Sequence, residues 1–234
     1  METHSTIVTC NTNYPFSSSL NYTISSEVDF TFKVRVPAWA VRERSHFKVG
    51  TANVRRFTPD ATTGLHSIPI KKGDTELNIF LAMDVQTVER DGSIAFYRGP
   101  LLYAADISFN QTAHDPLQYR PMIPLPGSET LEQTKDYYLE PTSEWRFAVD
   151  PSTVQVREER KEGEILPKLL FTSDGPPTSL AVDAYVIDWP LDHGTAAEPP
   201  LNPIVSKATK TTIRLVPFGA AKLHIAQFPI ARFA

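Results

Sequence analysis

The chain has 234 residues, with 20 prolines against 10 glycines, 41% hydrophobic and 21% charged residues, and a formal net charge of −4. Proline fixes φ and lacks a backbone donor, so this composition argues against a helical bundle, and the hydrophobic content excludes wholesale disorder. A sequence pI near 5.9 gives no electrostatic reason to expect nucleic acid or an anionic membrane as partner, and no run approaches the ~20 apolar residues that span a bilayer. The N-terminus has neither a basic region nor an apolar one, so it reads as having no signal peptide and points to the cytoplasm. Cys10 stands alone, which excludes an internal disulfide. Asn21 and Asn110 each open a glycosylation sequon, relevant only to a secreted chain.

Predicted strands begin at Leu20–Ile24 and Asp29–Val36. In the second, Val28, Phe30, Phe32, Val34 and Val36 share one face while Asp29, Thr31, Lys33 and Arg35 share the other, the pattern of a half-buried antiparallel strand. Further strands are expected at His46–Val49, Val54–Phe57, Leu65–Ile70 and Thr75–Met83, with Lys72-Gly73-Asp74 as a turn. Ser93–Phe109 continues the series, broken at Arg98-Gly99-Pro100. Residues 110–143 hold five prolines and little periodicity and read as one long Pro-rich loop. Trp145–Val149, Leu169–Thr172, Leu180–Trp189, Thr211–Pro217 and Leu223–Phe228 complete the strands, and only Gly127–Tyr138 and Ser152–Glu159 carry any helical appeal. The expectation is an all-β, antiparallel, jelly-roll-like sandwich. It is a single domain over 1–234, or two lobes at about 1–109 and 144–234 joined by the 110–143 loop. The mixed-charge stretch Arg157–Glu164 is expected to cap a solvated turn.

No nucleophile elbow, phosphate loop, dinucleotide fingerprint or metal motif is present, and the six histidines are never spaced as a metal pair. No metal and no cofactor is therefore expected. Two acid–histidine neighbours in loops, His114-Asp115 and Asp192-His193, have the composition of an oriented base. The candidate catalytic residues are Tyr103, Tyr119, Tyr185 and His193, with His114 as a base; Trp145, Trp189, Tyr137 and Tyr138 are candidates for stacking on a flat ligand or a sugar face. No carboxylate pair has a spacing that assigns glycoside hydrolysis.

Several phrases, in order, carry a resemblance. They are Thr12–Phe16 (TNYPF), Val34–Ala40 (VRVPAWA), Lys72-Gly73-Asp74, Arg98–Tyr103 (RGPLLY), Trp145–Thr153 (WRFAVDPST), Asp188–Leu191 (DWPL), Leu215–Ile225 (LVPFGAAKLHI) and Phe228-Pro229. This series resembles the C-terminal β-sandwich region of glycoside hydrolase family 127, the β-L-arabinofuranosidases, particularly fungal members. The resemblance implies a sandwich that follows a helical barrel, the barrel supplying a zinc held by cysteines and a glutamate, with a cysteine as nucleophile. Cys10 is the only cysteine here, so those residues have no positions in this chain, and Phe47–Gly50 lacks the family's asparagine. The chain alone is not expected to hydrolyse arabinofuranosides.

Three readings follow. One is a stand-alone sandwich repurposed to bind an apolar natural product and convert it by preorganisation, as a cyclase, pericyclase or isomerase. Another is the accessory domain of a family-127-like hydrolase. The third is a carbohydrate-binding sandwich using Trp145 or Trp189 as platform. The expected partners are a small-molecule ligand and, through an exposed face, a second copy of the chain.

Overall fold

The computed structural model describes residues 4–160 and 164–233. The first strands are β1 (Thr6–Thr12), β2 (Ser19–Ser26), β3 (Phe30–Arg35), β4 (His46–Val49), β5 (Arg55–Arg56), β6 (Leu65–Ile70) and β7 (Gly73–Phe80). Five of them form a sheet in the order β1-β2-β7-β4-β5, while β3 and β6 pair separately. The alternation read from Val28 to Val36 explains the arrangement. Phe30, Phe32 and Val34 pack with Ile68 and Ile70 of β6 against Ile24, Phe47, Leu77 and Ile79 of the larger sheet. The chain changes sheet across Lys71-Lys72, and Gly73 at φ +104° makes the bend in a conformation that side chains rarely adopt.

After Phe80 the chain passes to a second sheet. Its strands are β8 (Val85–Arg90), β9 (Ser93–Arg98) and β10 (Leu101–Asp106), followed by the paired β11 (Phe109–His114) and β12 (Asp136–Pro141). Next come β13 (Phe147–Glu158), β14 (Thr178–Val186), the short hairpin of β15 (Leu191–Asp192) and β16 (Thr195–Ala196), and β17 (Ile204–Val205). The chain closes with β18 (Lys210–Pro217), β19 (His224–Ile225), β20 (Phe228–Pro229) and β21 (Arg232–Phe233). The second sheet runs β13-β14-β18-β10-β9-β20, with β8 also on β9 and β19 also on β10. Phe96, Tyr103, Val149, Leu180, Val182, Leu215 and Phe228 fill its interior.

The all-β sandwich stands as expected, with three local corrections. Ser152–Glu159 is strand, not helix: Asp150 accepts hydrogen bonds from the backbone and hydroxyl of Ser152, and the DPST turn becomes a bulge within β13, across which pairing with β14 resumes at Gln155. Leu169–Thr172 is not a strand; Leu169 is 74% exposed and the segment curls until Phe171 rests on Phe16. The 110–143 segment is less irregular than its prolines suggest. Its ends pair in full register, His114 with Asp136 through Phe109 with Pro141, as a two-stranded arm. Helical structure at 127–134 is limited to two 3₁₀ turns, and residues 136–138 belong to β12. Among the described residues no helix is long and apolar enough to cross a membrane.

Candidate functional site

A cleft of about 830 Å³ lies where the two sheet systems meet, within the range of small-ligand sites. One wall is the turn between β1 and β2. The amides of Phe16 and Ser17 both donate to the Asn13 carbonyl, at 2.9 and 3.2 Å, and this tight turn sends Ser17, Ser18 and Ser19 along the cleft. Phe16 is buried, and Phe80 at the end of β7 extends the same wall. The other wall is the end of the second sheet: Arg98 of β9, Glu158 to Arg160 at the end of β13, and Pro177-Thr178 at the start of β14. The pairing of Glu158 with Thr178 fixes this rim.

Arg98 joins the walls by donating from Nη1 to the Phe16 carbonyl at 3.1 Å, while its buried Nε has no partner among the described residues. Arg160 likewise has a buried, unpartnered Nε among those residues. Glu159 accepts a hydrogen bond from the Ser179 hydroxyl and another from Arg214 Nε at 3.0 Å. The hydroxyl first, and the guanidinium second, hold its carboxyl below the usual range, so it is an anion at neutral pH. The lining thus combines hydroxyls, carboxylates, guanidinium groups and two phenyl rings. Among the described residues no histidine or cysteine lines it. Such a surface offers donors and acceptors close together, which a hydroxylated ligand can satisfy and a hydrocarbon cannot.

The residues expected from sequence are dispersed. Tyr103 is fully buried in the second core, its hydroxyl paired with Thr178 Oγ1 at 3.0 Å, and burial pushes its pKa up. Tyr185 is also buried, edge-on to Phe233 at 5.2 Å. Trp189 is 2% exposed with its indole donating to the Ala197 carbonyl at 2.9 Å, so it offers no open face for a sugar. Half-buried Trp145 packs on it at 5.5 Å. His193 is almost fully exposed beside Asp192, 3.6 Å away, at a φ of +50°. Tyr119 is 86% exposed at the tip of the arm, and exposed Tyr137 on β12 lies under the Lys222 ammonium. His114 and Tyr138 also meet, edge-on at 4.7 Å, beside a hollow of about 360 Å³ that takes in Asp115, Lys135 and Asp136 as well. Among the described residues no group of three or more His, Cys, Asp or Glu side chains could hold a metal ion.

The cleft's own residues were not among the sequence candidates. Two signals pointed to them: an arginine ending the apolar strand Ser93–Arg98, and three consecutive serines after a Pro-Phe turn. Of the stretch Arg157–Glu164, residues 161–163 lie outside the described residues; Arg157, Glu158, Glu159 and Glu164 are exposed, and Glu158, Glu159, Arg160 and Glu164 also line the cleft.

Two sheet systems with a cleft between them define an all-β sandwich protein. In fold the chain is similar to a GH127 β-L-arabinofuranosidase from Geobacillus stearothermophilus T6, with a TM-score of 0.58 and 16% identity over 99% of this chain and 31% of that one. It is similar also to a solved glycoside hydrolase, with a TM-score of 0.54 and 16% identity, covering 99% of this chain and 35% of the other. The chain therefore spans about a third of the length of these hydrolases. No protein-family model matches it, and no curated protein matches it in sequence.

Proposed function

We propose that this chain is a carbohydrate-binding sandwich that works as an accessory unit beside a family-127-like hydrolase barrel, with the cleft between its sheet systems as the binding surface. The observation that carries the reading is the cleft lining, in which Ser17, Ser18, Glu158, Arg98 and Arg160 alternate donors and acceptors next to Phe80. Sugars present that combination of hydroxyls and apolar ring faces. The fold likeness to about a third of two glycoside hydrolases supports the same class of ligand. Buried Trp189 moves the binding surface away from the tryptophan pair.

Titration with L-arabinose and arabinan oligosaccharides, followed by calorimetry and amide chemical shifts, tests it. Saturable binding is expected, with shifts at Ser17–Ser19 and Thr178, and at least tenfold weaker binding in Glu158→Ala. Absence of shifts across arabinan, xylan and galactan fragments would overturn the reading.

The meeting of His114 with Tyr138 favours a second reading, conversion of a small natural product at the arm. Incubation with polyene and terpenoid precursors separates the two: product ratios identical to the buffer blank remove it for those substrates.

A further inference from the structure

The solvent-facing side of the five-stranded sheet is polar in an ordered way. Ile24, Phe47, Leu77 and Ile79 belong to the first core, so by strand alternation Asn21, Asn78 and Lys48 stand on the opposite side. The register makes them one row with β1: Asn11 faces Asn21, Asn21 faces Asn78, and Asn78 faces Lys48. A second row on one flank is Thr9, Thr23 and Glu76. A third, on the other flank, is Ser19, Phe80, His46 and Arg56.

Asparagine is depleted in strands, where threonine or valine serves better. Here three stand in register, two of them on β2 and β7, which are paired on both sides. All three are exposed, and among the described residues their side-chain amides make no hydrogen bond to the rest of the chain. A choice that contradicts local preference without a gain in packing marks a site kept for function.

The third row supplies an apolar complement. The His46 ring stacks on Phe80, with centroids 5.1 Å apart and 22° between the planes, and its Nδ1 donates to the Arg44 carbonyl at 3.0 Å. One face of Phe80 is thus covered. On its other side stands only the small Ser19, and Ser19 and Phe80 both line the cleft. The row of rings therefore begins where the cleft ends. Neighbouring strands lie ~4.8 Å apart, so the row from Asn11 to Lys48 offers donors and acceptors at that repeat over roughly 14 Å. An extended glycan repeats its hydroxyls at a similar interval and carries apolar ring faces beside them. The charges on this side, Asp74 and Glu76 against Lys48 and Arg56, balance, which suits a neutral chain.

We propose that the outer side of the five-stranded sheet binds a neutral glycan chain lying along the amide row, flanked by Phe80 and His46 and continuous with the cleft. Asn11, Asn21 and Asn78 take the hydroxyls of successive units. The proposal rests on the sugar-binding reading of the cleft for its class of ligand, and extends it from a short ligand to an extended chain.

Arabinan and xylan fragments of two and of five units, titrated into protein made in bacteria so that the Asn21 sequon is unmodified, test it. In the series that binds, the pentasaccharide is expected to bind roughly tenfold tighter than the disaccharide, as one or two added hydrogen bonds give. It is also expected to shift the side-chain amides of Asn11, Asn21 and Asn78. Asn21→Thr combined with Asn78→Thr is expected to keep or raise Tm, since threonine suits a strand, while lowering the pentasaccharide's affinity to that of the disaccharide. Equal affinities for the two lengths, or no shift at the three amides, overturn the proposal and leave the cleft reading standing. So does a double variant that folds and binds the pentasaccharide as the wild type does. Shifts at the three amides with none at Ser17, Ser18 and Thr178 uphold the sheet face and overturn the cleft. No binding by any fragment overturns both. Should the double variant fail to fold, the length dependence and the amide shifts of the wild type decide alone.

Discussion

At the scale of single residues, burial separates the side chains that could do chemistry from those that hold the fold. Tyr103 looks like a donor on paper, but its hydroxyl serves Thr178 in a fully closed core. Glu144 is the better electrostatic example. It takes two bonds from the Arg146 guanidinium, at 2.8 and 2.7 Å, and the amides of Trp145 and Arg146 at 3.0 Å each. The guanidinium bonds are the main cause of a carboxyl pKa lowered to about 2 from 4.5. A depressed carboxyl pKa contributes stability that is fully present above the unfolded value and lost as pH falls through the folded one. The window here is therefore from about 4.5 down to about 2. Both side chains are partly open to water, which screens the pair and keeps the contribution small. Glu144→Gln is expected to lower Tm slightly at neutral pH and to flatten the fall of Tm across that acid window. An acid limb unchanged by the substitution would show that the pair adds nothing.

At the scale of elements, strands with strict alternation were readable and those fixed by distant partners were not. His46–Val49 and Leu65–Ile70 begin and end where their apolar periods do. β1, exposed on both faces, has no period to read and exists because β2 offers it a ladder. β12 pairs with β11 across more than twenty residues of proline-interrupted chain, so nothing local announces it. The Arg98-Gly99-Pro100 break is a tight turn, with Arg98 paired to Leu101. Gly99 sits at φ +56°, and a methyl group there would fall 2.6 Å from Met83 Sδ. Gly99→Ala is expected to cost about 1–3 kcal/mol through the left-handed backbone alone, read as a lower urea midpoint at unchanged slope. A midpoint within error of wild type would mean that the turn adopts another form without loss.

At the scale of the molecule, the cleft could not be read from the chain because its walls come from Phe16 to Ser19, Phe80, Arg98, Glu158 to Arg160 and Thr178, which only the packing of two sheet systems brings together. The same arrangement determines how the protein should unfold. The cores share no residue: one holds Ile24, Leu77 and Ile79, the other Phe96, Leu215 and Phe228. The links between them include the Arg98 bond to the Phe16 carbonyl, the Gln86 side-chain bond to the Trp39 carbonyl at 3.2 Å, and the Phe16–Phe171 ring contact. Links of this kind are worth about 1 kcal/mol each, whereas emptying a buried leucine site costs ~2–5 kcal/mol. Leu77→Ala should therefore loosen the first sheet system without bringing the second down. Calorimetry is expected to resolve an early transition, lowered by the substitution, from a later one at the wild-type temperature. Fluorescence should assign them, since Trp39 packs on the first core while Trp145 and Trp189 belong to the second sheet system. A single transition shifted as a whole would mean that the polar contacts lining the cleft couple both halves into one cooperative unit, so a ligand bound in the cleft would stabilise the entire chain rather than its two walls separately.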